Sequence, residues 1–322
     1  MNNEAVSSII SAIKKYDTFS IVPHTNPDAD AIGSCYAMAH VLKAMGKKAD
    51  VYVEEQLPKV LAFLPGKSLV YEKASDYDVC LCIDCGDIGR VGVRKPLIDS
   101  SKVSINVDHH YANTNYADIN LVVSQASSAG EICYDLIKEL GVDIDMDCAI
   151  CLYSAICADT GGFKFSNTTP DTMRKAADLL EKKIDAAKIT RLLFDTESIE
   201  QMRLKGEISS KGEIYCDGVV AVAYITKQML EKYDLNEKDV DNICDIARRI
   251  EGVEVAISVK ECASSIKVSL RSNEYIDVSK IAEKFGGGGH VRASGLMLEC
   301  DFDTAKKKIV DEVIKTVKEY RR

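Results

Sequence analysis

Residues 18–46 read TFSIVPHTNPDADAIGSCYAMAHVLKAMG. An apolar run of strand length ends at Pro23-His24. A polar loop follows, and an amphipathic stretch from Ala31 closes on Gly46, a natural C-cap. Strand, loop and helix are thus read in order. The motif recurs: ADVYVEE from Ala49, VCLCID (79–84) and VSINVDH (103–109) are further strands. Near-continuous apolar strands are buried on both faces, so they predict a parallel α/β sheet with helices on both faces. Helical periodicity covers the N-terminal residues and 129–140, 147–158 and 170–182. The last is entered through Asn167-Thr168-Thr169-Pro170-Asp171, a capping context with Pro in the first turn.

From Asp185 to Lys211 the pattern is polar and helical. After Gly212 the chain restarts with a strand (218–225) and a helix (236–250). Two strands, 253–261 and 265–272, then pair antiparallel around Cys262–Ser264. A helix (278–284), a loop Gly286-Gly287-Gly288-Gly289-His290, a strand (295–299) and a helix (303–320) complete it. The expectation is an α/β domain over 1–190, a helical connector over 191–211 and a smaller α+β domain over 212–322.

With 322 residues, 46% hydrophobic and 28% charged, the chain suits a soluble protein of two domains. No apolar run approaches the ~20 residues that span a bilayer, and no signal peptide is evident. A cytoplasmic protein without a membrane partner is expected. The net charge of −9 argues against an extended duplex-binding surface but not against small phosphorylated ligands. Twelve cysteines include Cys80, Cys82 and Cys85 around Asp84, and the C-x-x-C of Cys148 and Cys151. A zinc or iron–sulfur cluster is one reading. Their apolar contexts favour the other, in which Cys serves as a small buried apolar residue.

Carboxylates and imidazoles punctuate the ends of the apolar runs. His24 ends the first strand and is followed by Asp28 and Asp30. Asp84 ends VCLCID, Asp108, His109 and His110 end VSINVDH, and Asp159 precedes Thr160-Gly161-Gly162. Ligand sites of open α/β sheets lie at the carboxyl ends of strands. Imidazole with several carboxylates suits Mn, Fe, Zn or Mg, and the surplus of donors suits two ions ~3.5–4 Å apart sharing a carboxylate. Asp28 and Asp30 could instead be helix caps. His40, mid-helix, is left as a surface or core residue.

HTNPDADAIGS (24–34), CIDCGD (82–87), VDHH (107–110) and ADTGGF (158–163) together resemble the four motifs of the DHH phosphoesterase superfamily. FGGGGHVRASG (285–295), preceded by SLRS (269–272), resembles the DHHA1 domain. The combination is similar to stand-alone bacterial enzymes that degrade very short RNA (nanoRNA) and remove the 3′-phosphate of 3′-phosphoadenosine 5′-phosphate (pAp). The resemblance implies one metal ion on His24, Asp28 and Asp84, and a second on Asp30, Asp84, His109 and Asp159, with Asp84 bridging. It implies Asp108 as support for an imidazole and His110 at the scissile phosphate. It favours two Mn²⁺ ions, with Mg²⁺ or another divalent ion as alternatives, and a hydroxide between them as nucleophile. Arg271, Ser272, Gly286, Gly287, Gly288, Gly289 and His290 would bind short single-stranded RNA or DNA oligonucleotides and pAp. Asn113, Ser127 and Ser128 also match the pattern, although the two serines read equally well as caps with Glu131 completing a capping box. A homodimer is left open.

Other activities fit the same motifs. A cyclic dinucleotide, or linear pApA or pGpG, is an alternative substrate. A family II-like pyrophosphatase would carry a different second domain, and a RecJ-like exonuclease would be longer. A non-catalytic nucleotide sensor would have lost a metal ligand, and none is missing.

Overall fold

The computed structural model describes residues 3–73, 76–240 and 243–321. The chain divides into two units, Met1–Thr196 and Glu197–Arg322.

The first unit is built on six parallel strands: β1 (Thr18–Val22), β2 (Lys48–Val53), β3 (Ser68–Val70), β4 (Val79–Ile83), β5 (Val103–Asp108) and β6 (Ile119–Val122). Their order is β3-β2-β1-β4-β5-β6. Strand alternation sends Phe19, Ile21, Leu81 and Ile105 into the larger core. Val22, Cys80 and Cys82 face the other way, into a smaller core with Tyr52, Tyr77 and Leu97. Leu97 comes from α3 (Lys95–Ser100). All twelve cysteines are unpaired, and none belongs to a metal-competent group among the described residues.

The larger face carries α1 (Asn3–Lys15), α2 (Ala29–Ala44), α4 (Ala129–Leu140) and α5 (Met146–Asp159), with α6 (Pro170–Leu180) and α7 (Ala186–Phe194) outside them. α2, expected to be amphipathic, is instead buried on nearly every side, Asp30 and Ser34 included. Two glycines permit the close packing. A Cβ on Gly33 would lie 2.6 Å from the Cys151 carbonyl oxygen of α5, and one on Gly130 would lie 2.5 Å from the Ala155 Cβ. Strand order reverses between β1 and β4, so a crevice opens at their carboxyl ends. His24 and Asp84 follow those two strands directly.

The second unit comprises α8 (Ile199–Lys211), β7 (Glu213–Tyr215), β8 (Val220–Ile225), α9 (Lys227–Lys232), α10 (Ile243–Arg248), β9 (Val255–Glu261), β10 (Ile266–Ser272), α11 (Val278–Glu283), β11 (Gly288–His290), β12 (Ala293–Leu298) and α12 (Phe302–Tyr320). The sheet runs β11-β12-β10-β9-β8-β7 and is mixed, with β8 and β9 parallel. Ile281 of α11 and Ile309, Val313 and Val317 of α12 cover one face. Leu204 and Ile208 of α8 join α9 and α10 on the other, so part of the expected connector contributes to this core.

Two local readings differ. The helix expected over 236–250 is a 3₁₀ turn, Glu237–Asp239, and then α10, with Val240 extended between them. Positions 241 and 242 fall outside the described residues. The glycine loop closes into the edge strand β11.

Candidate metal centre

The loop after β1 positions His24. Its Nδ1 donates to the Thr25 carbonyl at 2.6 Å, which leaves Nε2 facing the Asp84 Oδ2 at 3.5 Å. A histidine whose Nδ1 hydrogen is fixed this way offers Nε2 as a ligand. Asp28 is the N-cap of α2, one oxygen accepting from the Ala31 amide at 3.0 Å. Capping and metal binding are therefore not alternatives for Asp28, which has a second oxygen. His24, Asp28 and Asp84 offer donor atoms within 4.8 Å of one another.

Asp30 points from the first turn of α2 to the N-terminus of α4. It accepts from the Ala129 and Gly130 amides at 2.8 and 2.9 Å and from the Ser34 hydroxyl at 3.1 Å. A helix N-terminus is the natural seat for an anion, and here it fixes a carboxylate. Asp30, His109 and Asp159 form a second group within 4.8 Å. His109 Nε2 lies 3.8 Å from Asp30 and 3.5 Å from Asp159. Asp159 ends α5, and Gly161 and Gly162, at φ of 58° and 70°, turn the chain away.

Asp84 belongs to the first group and also forms a third, with His109 and His110, while His109 belongs to the second. Oδ2 faces His24, and Oδ1 lies 3.5 Å from the His109 Nε2. Its φ of 56° is in the left-handed region, a strained setting for a non-glycine residue. Oδ1 is buried and has no hydrogen-bond partner among the described residues. An orphaned carboxylate oxygen 3.5 Å from both the His109 Nε2 and the His110 Nδ1, on a side chain whose other oxygen faces His24, is what a cation would satisfy.

The electrostatics agree. Burial opposes ionisation of Asp84, but His109 and His24 outweigh it and hold the carboxyl below the usual range. Burial, and then Asp84 and Asp159, push Asp30 well up. Burial, with Asp28 and Asp84, pushes Asp159 up to about 6. Burial opposes charge on His109, yet Asp84, Asp30 and Asp159 raise it to about 10. The protein packs more negative charge here than it neutralises. Divalent cations fit that imbalance, and mixed imidazole–carboxylate donors suit Mn²⁺, Zn²⁺, Fe²⁺ or Mg²⁺.

His110 is arranged differently. Its Nδ1 donates to Asp108 Oδ1 at 2.8 Å, so Nε2 is the nitrogen left for a ligand. Asp108, wholly buried, also accepts from Asn113 Nδ2 at 2.5 Å. Asn113 in turn donates to Asn106 Oδ1 at 2.8 Å, and Asn106 donates to the Cys82 and Cys85 carbonyls. Asn106 was not singled out from the sequence. Its signal was a lone amide within the apolar run VSINVD.

Ser128 is the N-cap of α4, accepting from the Glu131 amide. Glu131 reaches back to the amide and hydroxyl of Ser127, one residue earlier than a capping box requires. His40 donates to the Pro65 carbonyl and takes no part in the centre.

In the second unit, register places Arg271, Ala293 and His290 opposite one another across β10, β12 and β11. Opposed residues share a face. The neighbouring row on that face is Ser258, Ser269, Gly295 and Gly288. This small-residue floor borders a cavity of about 110 Å³ lined by Ser258, Ser269, Lys267 and Arg271. Ser272 is on the opposite face: it is buried and its hydroxyl donates to the Val291 carbonyl at 3.4 Å. Strand alternation separates it from Arg271, with which it was expected to share a ligand. The four glycines also divide. Gly286 holds φ of 75°, and Cβ atoms on Gly287 and Gly289 would lie 2.3 and 2.5 Å from backbone oxygens of β12. Gly288 has open space around it.

Residues 18–156 match the DHH family, N-terminal domain, and residues 217–320 match the DHHA1 domain. A Thermus thermophilus protein named bifunctional oligoribonuclease and PAP phosphatase NrnA is 32% identical, over 96% of this chain and 92% of that one. The chain belongs to the DHH family. A Bacillus subtilis member of the same name is 27% identical over 95% of this chain and 96% of its own. The crystal structure of an exopolyphosphatase-related protein from Bacteroides fragilis superposes with a TM-score of 0.90 at 27% identity, covering 98% of this chain and 96% of that one. The DHH motifs of this chain thus meet at the switch point of a parallel sheet, and Arg271 and His290 of the DHHA1 motifs share one face of a mixed sheet. No described helix is long and apolar enough to cross a membrane.

Proposed function

We propose that this chain is a metal-dependent phosphoesterase that hydrolyses short oligoribonucleotides to mononucleotides and removes the 3′-phosphate of pAp. One observation carries the reading: Asp84, with an orphaned oxygen, is a donor both with His24 and Asp28 and with His109, which in turn groups with Asp30 and Asp159. His24, Asp28 and Asp84 would hold one ion, and Asp30, Asp84, His109 and Asp159 the other. When bound, the two ions would supply an acidified water and offset charge on the phosphoryl oxygens. We take Mn²⁺ as the working ion, in keeping with the nitrogen and oxygen donors.

The chain's own groups do the rest. His110, with Nδ1 tied to Asp108, presents Nε2 to the scissile phosphate and stabilises its developing charge. Asp108 and Asn113 hold that ring in position. In the DHHA1 unit, Arg271 would take a terminal phosphate through paired guanidinium hydrogen bonds. His290 and the open Gly288 backbone would lie beside it. The twelve unpaired thiols suit a cytoplasmic setting, where cysteines remain reduced.

A substrate panel tests this reading. Purified protein is offered pAp, a 5′-phosphorylated dinucleotide, a five-mer, a twenty-four-mer, cyclic di-AMP and pyrophosphate, each with Mn²⁺ and with Mg²⁺. Fast turnover of pAp and the shortest oligonucleotides is expected. Dominant release of phosphate from pyrophosphate would overturn the nucleotide assignment, and preference for cyclic di-AMP would redirect it.

A further inference from the structure

We propose that Tyr111 is a stacking platform for the nucleobase adjacent to the scissile phosphate, an inference that rests on the nucleotide reading above. Tyr111 directly follows His110. At 87% exposure it is the most exposed large hydrophobic side chain among the described residues. It makes no hydrogen bond or ring contact among them. A lone exposed tyrosine is ordinary. This one is set on backbone fixed from both sides.

The Asn113 amide donates to the His110 carbonyl at 3.2 Å, and the Thr114 amide to the Gly86 carbonyl at 2.9 Å. The Asn113 side chain is bound to Asp108 and Asn106, and its own oxygen accepts from the Asn115 amide at 2.7 Å. The turn carrying Tyr111 is therefore built from the same network that orients His110. The metal-competent residues are carboxylates and imidazoles and offer a base little apolar surface. The Tyr111 ring, carried on this hydrogen-bonded turn two residues from His109, supplies it. Stacking on an aromatic tolerates every base, because every base has a π-face.

The test compares a 5′-phosphorylated adenosine dinucleotide with two analogues, each carrying an abasic tetrahydrofuran residue at one position. Turnover is measured with Mn²⁺ for the wild type, Tyr111→Ala and Tyr111→Phe, whose melting temperatures are first shown to agree. The wild type should prefer the intact dinucleotide over one abasic analogue by roughly 5- to 150-fold, expressed mainly in KM. Tyr111→Phe should keep that preference, and Tyr111→Ala should lose most of it while cleaving the abasic analogue as the wild type does. An undiminished preference in Tyr111→Ala overturns the assignment and leaves the nucleotide reading standing. A wild type that cleaves none of the three overturns both.

Discussion

Gly33→Ala separates helix propensity from helix packing and ties both to the metal centre. Gly33 lies inside α2, where alanine is favoured over glycine by ~1 kcal/mol. Its Cβ, however, would sit 2.6 Å from the Cys151 carbonyl oxygen and 3.2 Å from the Ala155 Cβ. A helix carbonyl cannot rotate aside, so α2 and α5 must part by several tenths of an ångström. Overpacking of this kind costs about 1–3 kcal/mol, which leaves a net loss of up to ~2 kcal/mol after the propensity gain. For a unit of this size that lowers Tm by up to roughly 8 °C. Gly206→Ala in α8, where a Cβ meets nothing within 4 Å, should instead stabilise its unit by about 0.5–1 kcal/mol. The chemistry follows the packing, because Asp30 lies one turn before Gly33 on α2 and Asp159 ends α5. Displacing one helix against the other should weaken Mn²⁺ binding about tenfold or more, the size of effect seen when ligand support is lost. Thermal melts and calorimetric Mn²⁺ titration of the three proteins test this. Gly33→Ala as stable as the wild type, with unchanged Mn²⁺ affinity, would refute the link between the helix contact and the site.

Three further outcomes are expected. Asn113→Ala should lower kcat on pAp about 10–100-fold with KM little changed, because Asp108 loses a partner and His110 its fixed orientation; steady-state kinetics would show otherwise if kcat held. Mn²⁺ affinity should rise with pH between about 6 and 10, because Asp159 (pushed to about 6) and His109 (about 10) must both give up protons to bind. Titrations at pH 7 in buffers of different ionisation enthalpy should report net proton release, and none would count against the ligand set. Gly288→Ala should leave Tm unchanged and raise KM for nucleotide substrates, whereas Gly287→Ala should lower Tm through its 2.3 Å approach to the Gly295 carbonyl.

The long apolar strands of the first unit were legible because each carries enough residues to show burial on both faces. β3, β6 and β7 were not, since three or four residues hold no period. Helices whose caps are local, such as α6 behind Thr169-Pro170, were read with nearly correct bounds. The stretch 236–250 misled because its apolar spacing survives the interruption at Val240. In the metal centre, residues at strand ends announced themselves by chemistry: His24, Asp84 and the Asp108–His110 triplet. What the sequence left out is what tertiary packing creates. That Asp30 is seated on the amides of Ala129 and Gly130, about one hundred residues away, depends on α2 meeting α4. Ser272 is the converse case: next to Arg271 in sequence, it lies on the other face of β10.

A two-ion centre shared through Asp84 would show itself in the metal content of the protein. After equilibrium dialysis against Mn²⁺, elemental analysis should find two ions per wild-type chain. Asp84→Asn should remain folded, retain at most one ion, and lose turnover of pAp. A wild type that binds one ion, or an Asp84→Asn protein that keeps two ions and full activity, would contradict it.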